Sequence, residues 1–176
     1  MASPTTFWPQ IEPCVSWMHC LVRRLGVRER DVPDVVQRVL IALHNHWAEF
    51  DTRRPMQPWL RTFVHGAASD YRKRSDIRHE DVAVGGLPMS AVEDPEPLPD
   101  LVLETEQRRT LLLDALEALS FERRSVLVLV EFEGVAVPEL AEMLGLPVPT
   151  VHSRLRLARE DISQAVRRLA LQRGHR

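Results

Sequence analysis

One short segment, residues 137–156, constrains this chain more than any other, because its small and apolar residues have the spacing of a helix-turn-helix. Ala141 lies on a first predicted helix, Gly145 follows four residues later at the turn, and Val151 comes six residues beyond it on a second helix. A small side chain suits the crossing of two helices, and glycine can adopt the left-handed conformation that ends a helix abruptly. Leucines supply the remaining apolar contacts: Leu140, Leu144, Leu146 and Leu155.

The outward face of the second helix predicts a partner. It carries hydrogen-bond donors and cations, namely Thr150, His152, Ser153, Arg154, Arg156 and Arg159. Such side chains suit the base edges and phosphates of duplex DNA. The alternative is that Gly145 merely joins two helices of an ordinary bundle. The combined spacing and the arginine-bearing face favour DNA binding.

Charge is distributed unevenly along the 176 residues, although the net charge is only −2. Residues 1–80 carry +3, residues 81–107 carry −7 and residues 108–176 carry +2. The central segment also contains several prolines and two glycines, a composition typical of an extended linker: Pro88, Pro95, Pro97, Pro99, Gly85 and Gly86. We therefore predict two small basic domains, 1–80 and 108–176, joined by an acidic linker over 81–107.

Amphipathic helices are predicted throughout the N-terminal domain, so the expected fold class is all-α. Apolar residues recur at intervals of three and four from Ile11 to Leu25, and Gly26 follows where that helix should end. A second helix begins with Asp31 as its predicted N-cap and has Pro33 in its first turn. Valines and leucines then form its buried face as far as residue 43.

A third predicted helix follows a loop with two arginines and ends in a run of cations. Together with two aromatic residues, these cations form a candidate surface for single-stranded nucleic acid: Arg53, Arg54, Trp59, Arg61, Tyr71, Arg72, Lys73 and Arg74. Cations bind phosphate, and aromatic rings stack on unpaired bases. The alternative is that Trp59 belongs to the core and that the cations are a solvated helix end. The cluster alone does not decide between the two.

Patterns typical of several other protein classes do not occur in the sequence. It has no run of about 18 apolar residues and no secretion signal, so a cytoplasmic location is expected. Cys14 and Cys20 lie about 240° apart around one helical segment, so reduced and packed thiols are expected rather than a disulfide. His44 and His46 lack further ligands at metal-site spacing, and nucleotide-binding and nucleophile motifs are absent. We predict no enzyme, no cofactor and no metal site.

Three stretches resemble the extracytoplasmic-function sigma factors, the smallest members of the bacterial sigma-70 group. They span 31–37, 58–72 and 140–155, with the acidic, proline-bearing segment between the second and the third. The last is the most specific, because it looks like the family's promoter-reading helix-turn-helix. The resemblance implies a protein that binds core RNA polymerase and directs it to particular promoters, without covalent chemistry.

The resemblance also implies a role for each predicted surface. The N-terminal domain would hold the polymerase and melt the minus-10 element with the cationic and aromatic cluster, while the outward face of the second helix of the helix-turn-helix would read the minus-35 element. The polymerase contact would lie on the face of the second N-terminal helix that its valines leave free: Asp34, Gln37, Arg38 and Ile41. Many relatives are held inactive by an anti-sigma factor, so such a partner is expected.

Several positions depart from the family pattern. Arg38 stands where an acidic residue is usual, His65 and Gly66 replace an Arg-Asn pair, and Pro149 and His152 replace a Gly and a Lys. Each change alters the charge or the helix propensity of a face that is expected to bind a partner. Two other interpretations stay open: a conventional helix-turn-helix regulator that binds DNA without polymerase, and a sigma-like protein-binding partner that has lost promoter recognition.

Overall fold

The computed structural model describes residues 7–51, 53–79 and 99–173 of the chain. The chain divides into two compact units, residues 1–83 and residues 84–176, which we call unit 1 and unit 2. The regular elements of the described ranges are all helical, so the predicted all-α fold class is confirmed. The unit boundary falls within the predicted linker, whose residues 81–98 lie outside the described residues.

The described part of unit 1 contains four α-helices: α1 (Phe7–Ile11), α2 (Val15–Arg24), α3 (Val32–Asn45) and α4 (Met56–His79). The three longer helices, α2, α3 and α4, pack against one another. Their shared core consists of fully buried apolar side chains: Met18, Leu21, Val22, Leu25, Val39, Leu43, Leu60, Val64 and Ala68. Burial of these side chains stabilises the unit, by roughly 1.5 to 3 kcal/mol for each large one.

The single helix predicted from Ile11 to Leu25 was wrong, because a 3-10 turn at Glu12–Cys14 separates α1 from α2. Pro13 lies in this turn, and proline lacks the N–H that would continue an α-helix. The end of the helix was predicted correctly, since Gly26 follows α2 with a φ of 99° that a side chain would disfavour.

The second predicted helix is α3, and its buried face is the predicted one. Val32, Val35, Val36, Val39 and Leu43 are all buried. Pro33 lies in the first turn, where the missing N–H costs nothing. The prediction for Asp31 was only half right, because Asp31 occupies the N-cap position but makes no side-chain capping bond.

The described part of unit 2 contains α5 (Pro99–Glu117), α6 (Phe121–Leu127), a π-helical turn (Val128–Phe132), α7 (Val137–Leu144) and α8 (Val148–Arg173). The long helix α8 packs against α5, α6 and α7. Because α5 begins at Pro99, the part of the predicted linker from 99 to 107 is helical rather than extended.

Two further sequence predictions can be compared with the structure. Neither cysteine forms a disulfide, but the prediction of packed thiols was wrong for Cys20, which is exposed. Cys14 is half-buried, and this burial raises the pKa of its thiol. Among the described residues, no helix combines the length and the apolar character needed to cross a membrane.

Candidate nucleic-acid interface

The helix-turn-helix is formed by α7 and α8, and its turn has the predicted chemistry. Gly145 ends α7 in the left-handed conformation, with φ 63° and ψ 35°. The Gly145 N–H donates to the Glu142 carbonyl at 3.1 Å, and the Leu146 N–H donates to the Ala141 carbonyl at 2.9 Å. These two bonds form a Schellman motif, which satisfies carbonyls at the end of the helix.

Residues on both sides of this turn pack as their spacing predicted. Leu140, Ala141, Val151 and Leu155 are buried, and α7 packs against α8. Leu144 and Leu146 are half-buried, so their predicted packing is only partial. The recognition helix α8 starts at Val148, and the Thr150 and Val151 N–H groups donate to the Pro147 carbonyl at 2.9 and 3.2 Å. Pro149 therefore lies in the first turn, where helices accept proline.

The six predicted minus-35 residues all lie on α8, but their exposure differs. His152, Ser153, Arg156 and Arg159 are exposed, whereas Thr150 and Arg154 are half-buried. The outward face that the sequence predicted is therefore present, and its most accessible part is the group of four.

Both exposed arginines of this face already bind carboxylates within unit 2. The Arg156 guanidinium contacts Glu160 one turn later on α8, at 2.6 Å. Arg159 donates from Nε and from Nη2 to Oε1 of Glu131, at 2.9 and 2.5 Å. The positive charge that each arginine presents to a phosphate is therefore partly neutralised by a carboxylate. Glu131 was not among the predicted site residues, because it lies 28 positions from Arg159 and only the packing of the helices brings the two together.

The loop before α4 carries two highly exposed cations. A side-chain oxygen of Asp51 accepts the Arg53 N–H at 3.1 Å and thereby shapes the turn. The side chains of Arg53 and Arg54 are 92% and 82% exposed, with only long contacts of 3.4 and 3.8 Å to Asp51. These two predicted minus-10 residues are accessible to a phosphate backbone.

Trp59 stands in an aromatic cluster rather than alone on the surface. The centroid of its ring system lies 4.9 Å from the ring centroid of Phe50, 4.9 Å from that of Phe63 and 6.0 Å from that of Trp47. The indole is half-buried, so only part of it could contact a base. The structure thus favours the alternative that the sequence left open, in which Trp59 is mainly a packing residue.

Tyr71 is engaged in a long-range hydrogen bond. Its hydroxyl donates to Oδ2 of Asp31 at 2.7 Å, which joins α4 to the start of α3. Partial burial raises the pKa of the Tyr71 hydroxyl, and the hydrogen bond and negative charge of Asp31 raise it further. The ring is half-buried, so part of it remains accessible, and a role of Tyr71 in binding the minus-10 element stays a prediction.

The remaining cations of the predicted minus-10 surface lie along α4. Arg61 and Arg72 are half-buried, while Lys73 and Arg74 are exposed. His65 lies on the same helix, and its burial, together with the charge of Lys73, lowers the pKa of its imidazole. His65 is therefore neutral near neutral pH.

The predicted polymerase-binding residues form one continuous exposed row on α3. Asp34, Gln37, Arg38 and Ile41 are all exposed, and Ile41 is 54% accessible despite its apolar side chain. They recur at intervals of three and four, opposite the buried valines.

The two histidines near the end of α3 belong to the aromatic cluster. His44 contacts Phe7 edge-on at 5.2 Å between ring centroids, and His46 lies 5.5 Å from Phe63. In the part of the chain that the structure describes, no group of three or more His, Cys, Asp or Glu side chains could hold a metal ion.

Both surfaces lie within segments that match known protein families. Residues 11–77 match the model of sigma-70 region 2, and residues 109–162 match that of sigma-70 region 4. The RNA polymerase sigma-E factor of Streptomyces avermitilis is 30% identical over 161 residues, which cover 88% of this chain and 84% of that protein. The chain belongs to the extracytoplasmic-function group of the sigma-70 family.

Solved structures of sigma factors have a similar fold. The sigma factor RpoE from Bartonella quintana, in complex with the anti-sigma factor NepR, matches with a TM-score of 0.71 at 18% identity, over 92% of this chain and 97% of that chain. CnrH, in complex with the cytosolic domain of CnrY, matches with a TM-score of 0.61 at 26% identity, over 93% of this chain and 88% of that chain.

Proposed function

We propose that this sigma factor binds core RNA polymerase through unit 1 and reads promoters with both units. Unit 2 would recognise the minus-35 element as a duplex, and unit 1 would recognise and melt the minus-10 element. The observation that carries the proposal is the helix-turn-helix of α7 and α8, whose exposed face bears His152, Ser153, Arg156 and Arg159. No covalent chemistry is needed for these steps.

Reading of the minus-35 element is supported by the geometry of α8. The major groove admits one α-helix, and side chains near the start of that helix contact base edges. Ser153 and Arg156 are exposed one turn apart there, so both could reach the same part of the groove. Arg159 lies further from the helix start and suits a phosphate.

Melting of the minus-10 element would depend on the loop before α4 and on the cationic end of that helix. Arg53 and Arg54 would bind the backbone of the displaced strand. Base stacking would be limited to the accessible part of Trp59, because its ring and the hydroxyl of Tyr71 already have partners within unit 1.

Polymerase binding is proposed for the exposed row of α3. The exposed apolar side chain of Ile41 could be buried at the centre of an interface, with its polar neighbours on α3 at the solvated rim. Since core polymerase and the chromosome are in the bacterial cytoplasm, we propose that the protein acts there.

A protein inhibitor is the expected means of control. CnrH, 26% identical to this chain, was solved with the cytosolic domain of CnrY. We propose that a separately encoded anti-sigma factor binds this chain and competes with core polymerase. Co-purification from the native host, with and without added core, tests this. Recovery of only the uncomplexed, constitutively active protein would contradict it.

A run-off transcription assay with purified core polymerase tests the proposed function. We expect promoter-specific transcripts only when the chain is added. If instead the protein alone binds an operator with nanomolar affinity at physiological salt, it is a conventional regulator. If it binds polymerase but gives no specific transcript, promoter recognition has been lost.

The polymerase contact is tested by the double substitution Asp34→Arg and Arg38→Glu, which leaves the net charge unchanged. We expect loss of holoenzyme assembly with an unchanged circular dichroism spectrum. The matched control exchanges the charges of Glu12 and Arg30, which are also exposed in unit 1 but do not lie on α3. Undiminished assembly by the folded α3 variant would contradict the placement.

A further inference from the structure

The contact between Glu131 and Arg159 joins the π-helical turn to the recognition helix. Two N–H groups of the guanidinium donate to one carboxylate oxygen, at 2.9 and 2.5 Å. The side chains are 40% and 59% exposed, so solvent and ions can reach the pair. The contact is therefore well formed and also open to exchange with another anion.

The position of Glu131 is fixed by the backbone around it. Val128 and Leu129 are buried in the core of unit 2, and the Glu133 N–H donates to the Val128 carbonyl five residues earlier, at 3.2 Å. The Val135 N–H donates to the Leu129 carbonyl at 2.9 Å, and Gly134 between them has a φ of 66°. The carboxylate is thus held next to α8 by an element anchored at both ends.

This arrangement affects the energy of DNA binding. Each arginine that neutralises a phosphate releases counterions and steepens the salt dependence of binding. An arginine already paired with a carboxylate presents less net positive charge to a phosphate, so part of its attraction to DNA is lost. Release of the arginine from the carboxylate is feasible, because an exposed ion pair is only weakly stabilising.

We propose that Glu131 is an internal competitor of DNA for Arg159, and that it weakens duplex binding by unit 2. This inference rests on the proposed reading of minus-35 DNA by α8. It assigns Glu131 an effect on affinity without any contact to DNA. The pairing lowers the protein's own affinity for duplex DNA by up to about fivefold.

The test compares the full-length protein with Glu131→Gln, Arg159→Ala and the double variant. Binding to a short mixed-sequence duplex is measured over a series of KCl concentrations. We expect Glu131→Gln to bind more tightly by up to about fivefold, with a slope of log affinity against log salt that is steeper by less than the roughly 0.9 of a full phosphate contact. Arg159→Ala should bind more weakly than the wild type, and in its presence Glu131→Gln should have no further effect.

Glu139→Gln is the charge-matched control, because Glu139 is an exposed carboxylate of α7 in the same unit. Any gain in duplex affinity from Glu139→Gln must be the same in the wild-type protein and in the Arg159→Ala variant. If Glu131→Gln fails to fold, Glu131→Asp replaces it, since aspartate keeps the charge but shortens the reach by one methylene group.

Three results would overturn the inference. An equal gain from Glu131→Gln in the absence of Arg159 would indicate a general charge effect. Weaker binding by Glu131→Gln would mean that the carboxylate orients the arginine for DNA. Unchanged binding by Arg159→Ala would remove this arginine from the DNA surface. Run-off transcription by the wild-type holoenzyme separates these results from failure of the proposed function, which would abolish the transcript itself.

Discussion

Unit 1 and unit 2 present their candidate nucleic-acid surfaces in different ways. In unit 2 the predicted residues lie along one helix whose start is fixed by a Schellman turn. In unit 1 they are spread over a loop and a helix, and the two aromatic side chains are engaged by Phe50, Phe63 and Asp31. Duplex reading requires a rigid helix of fixed register, whereas the proposed melting would combine accessible cations with rings that the core holds in place.

The largest effect is expected from the aromatic cluster of unit 1. Trp59→Ala should lower the free energy of unfolding by about 3 kcal/mol, the lower end of the range for aromatic-to-alanine changes, because the indole is only half-buried. Urea denaturation measures this loss. Trp59→Phe keeps a ring and should lose much less stability. If Trp59→Phe is stable but its holoenzyme no longer melts promoters, the indole itself contacts a base.

The recognition helix should show a difference between its two exposed arginines. Arg156→Ala should lose about 1 to 3 kcal/mol of binding free energy at one promoter position and relax the base preference at that position. Arg159→Ala should weaken binding to all promoters by the same factor and make the salt dependence of the affinity shallower. Holoenzyme binding to a panel of single-base minus-35 variants measures both effects. Identical loss profiles for the two variants would contradict the assignment of one arginine to a base and the other to phosphate.

The hydrogen bond between Tyr71 and Asp31 should contribute about 1 kcal/mol to the stability of unit 1. Tyr71→Phe removes the donor but keeps the ring, so urea denaturation measures the contribution of the bond. The folded state raises the pKa of the hydroxyl above its usual value near 10. The contribution is therefore present at neutral pH and is lost as the pH rises through the folded-state pKa. A stability difference between wild type and Tyr71→Phe that does not shrink at high pH would argue against this assignment.

The smallest effect should be a gain in stability. Gly66 lies inside α4, and a Cβ added there would meet no atom within 4 Å. Gly66→Ala should therefore stabilise unit 1 by about 0.5 to 1 kcal/mol, seen as a higher denaturation midpoint. If the same variant impairs promoter melting, the glycine gives a DNA strand close access to this helix. Unchanged melting would limit its effect to helix stability.

The elements that were predicted correctly are determined by residues that lie close to one another in the sequence. The helix-turn-helix follows from Ala141, Gly145 and Val151, and the buried face of α3 follows from valines at intervals of three and four. In both cases the side chains that determine the structure lie within one or two helical turns of each other. The break of the first predicted helix at Pro13 was also a local signal, although the continuous apolar spacing concealed it.

The sequence by itself thus determined the helical class, the recognition helix with its exposed face, and the exposed row of α3. Only the tertiary structure decided how individual side chains are used, since it brings Tyr71 to Asp31 across 40 positions and Arg159 to Glu131 across 28. It also placed Trp59 among other rings and formed the π-helical turn before α7. Periodicity determines which face of a helix is buried, but the partner of a polar or aromatic group depends on how the helices pack.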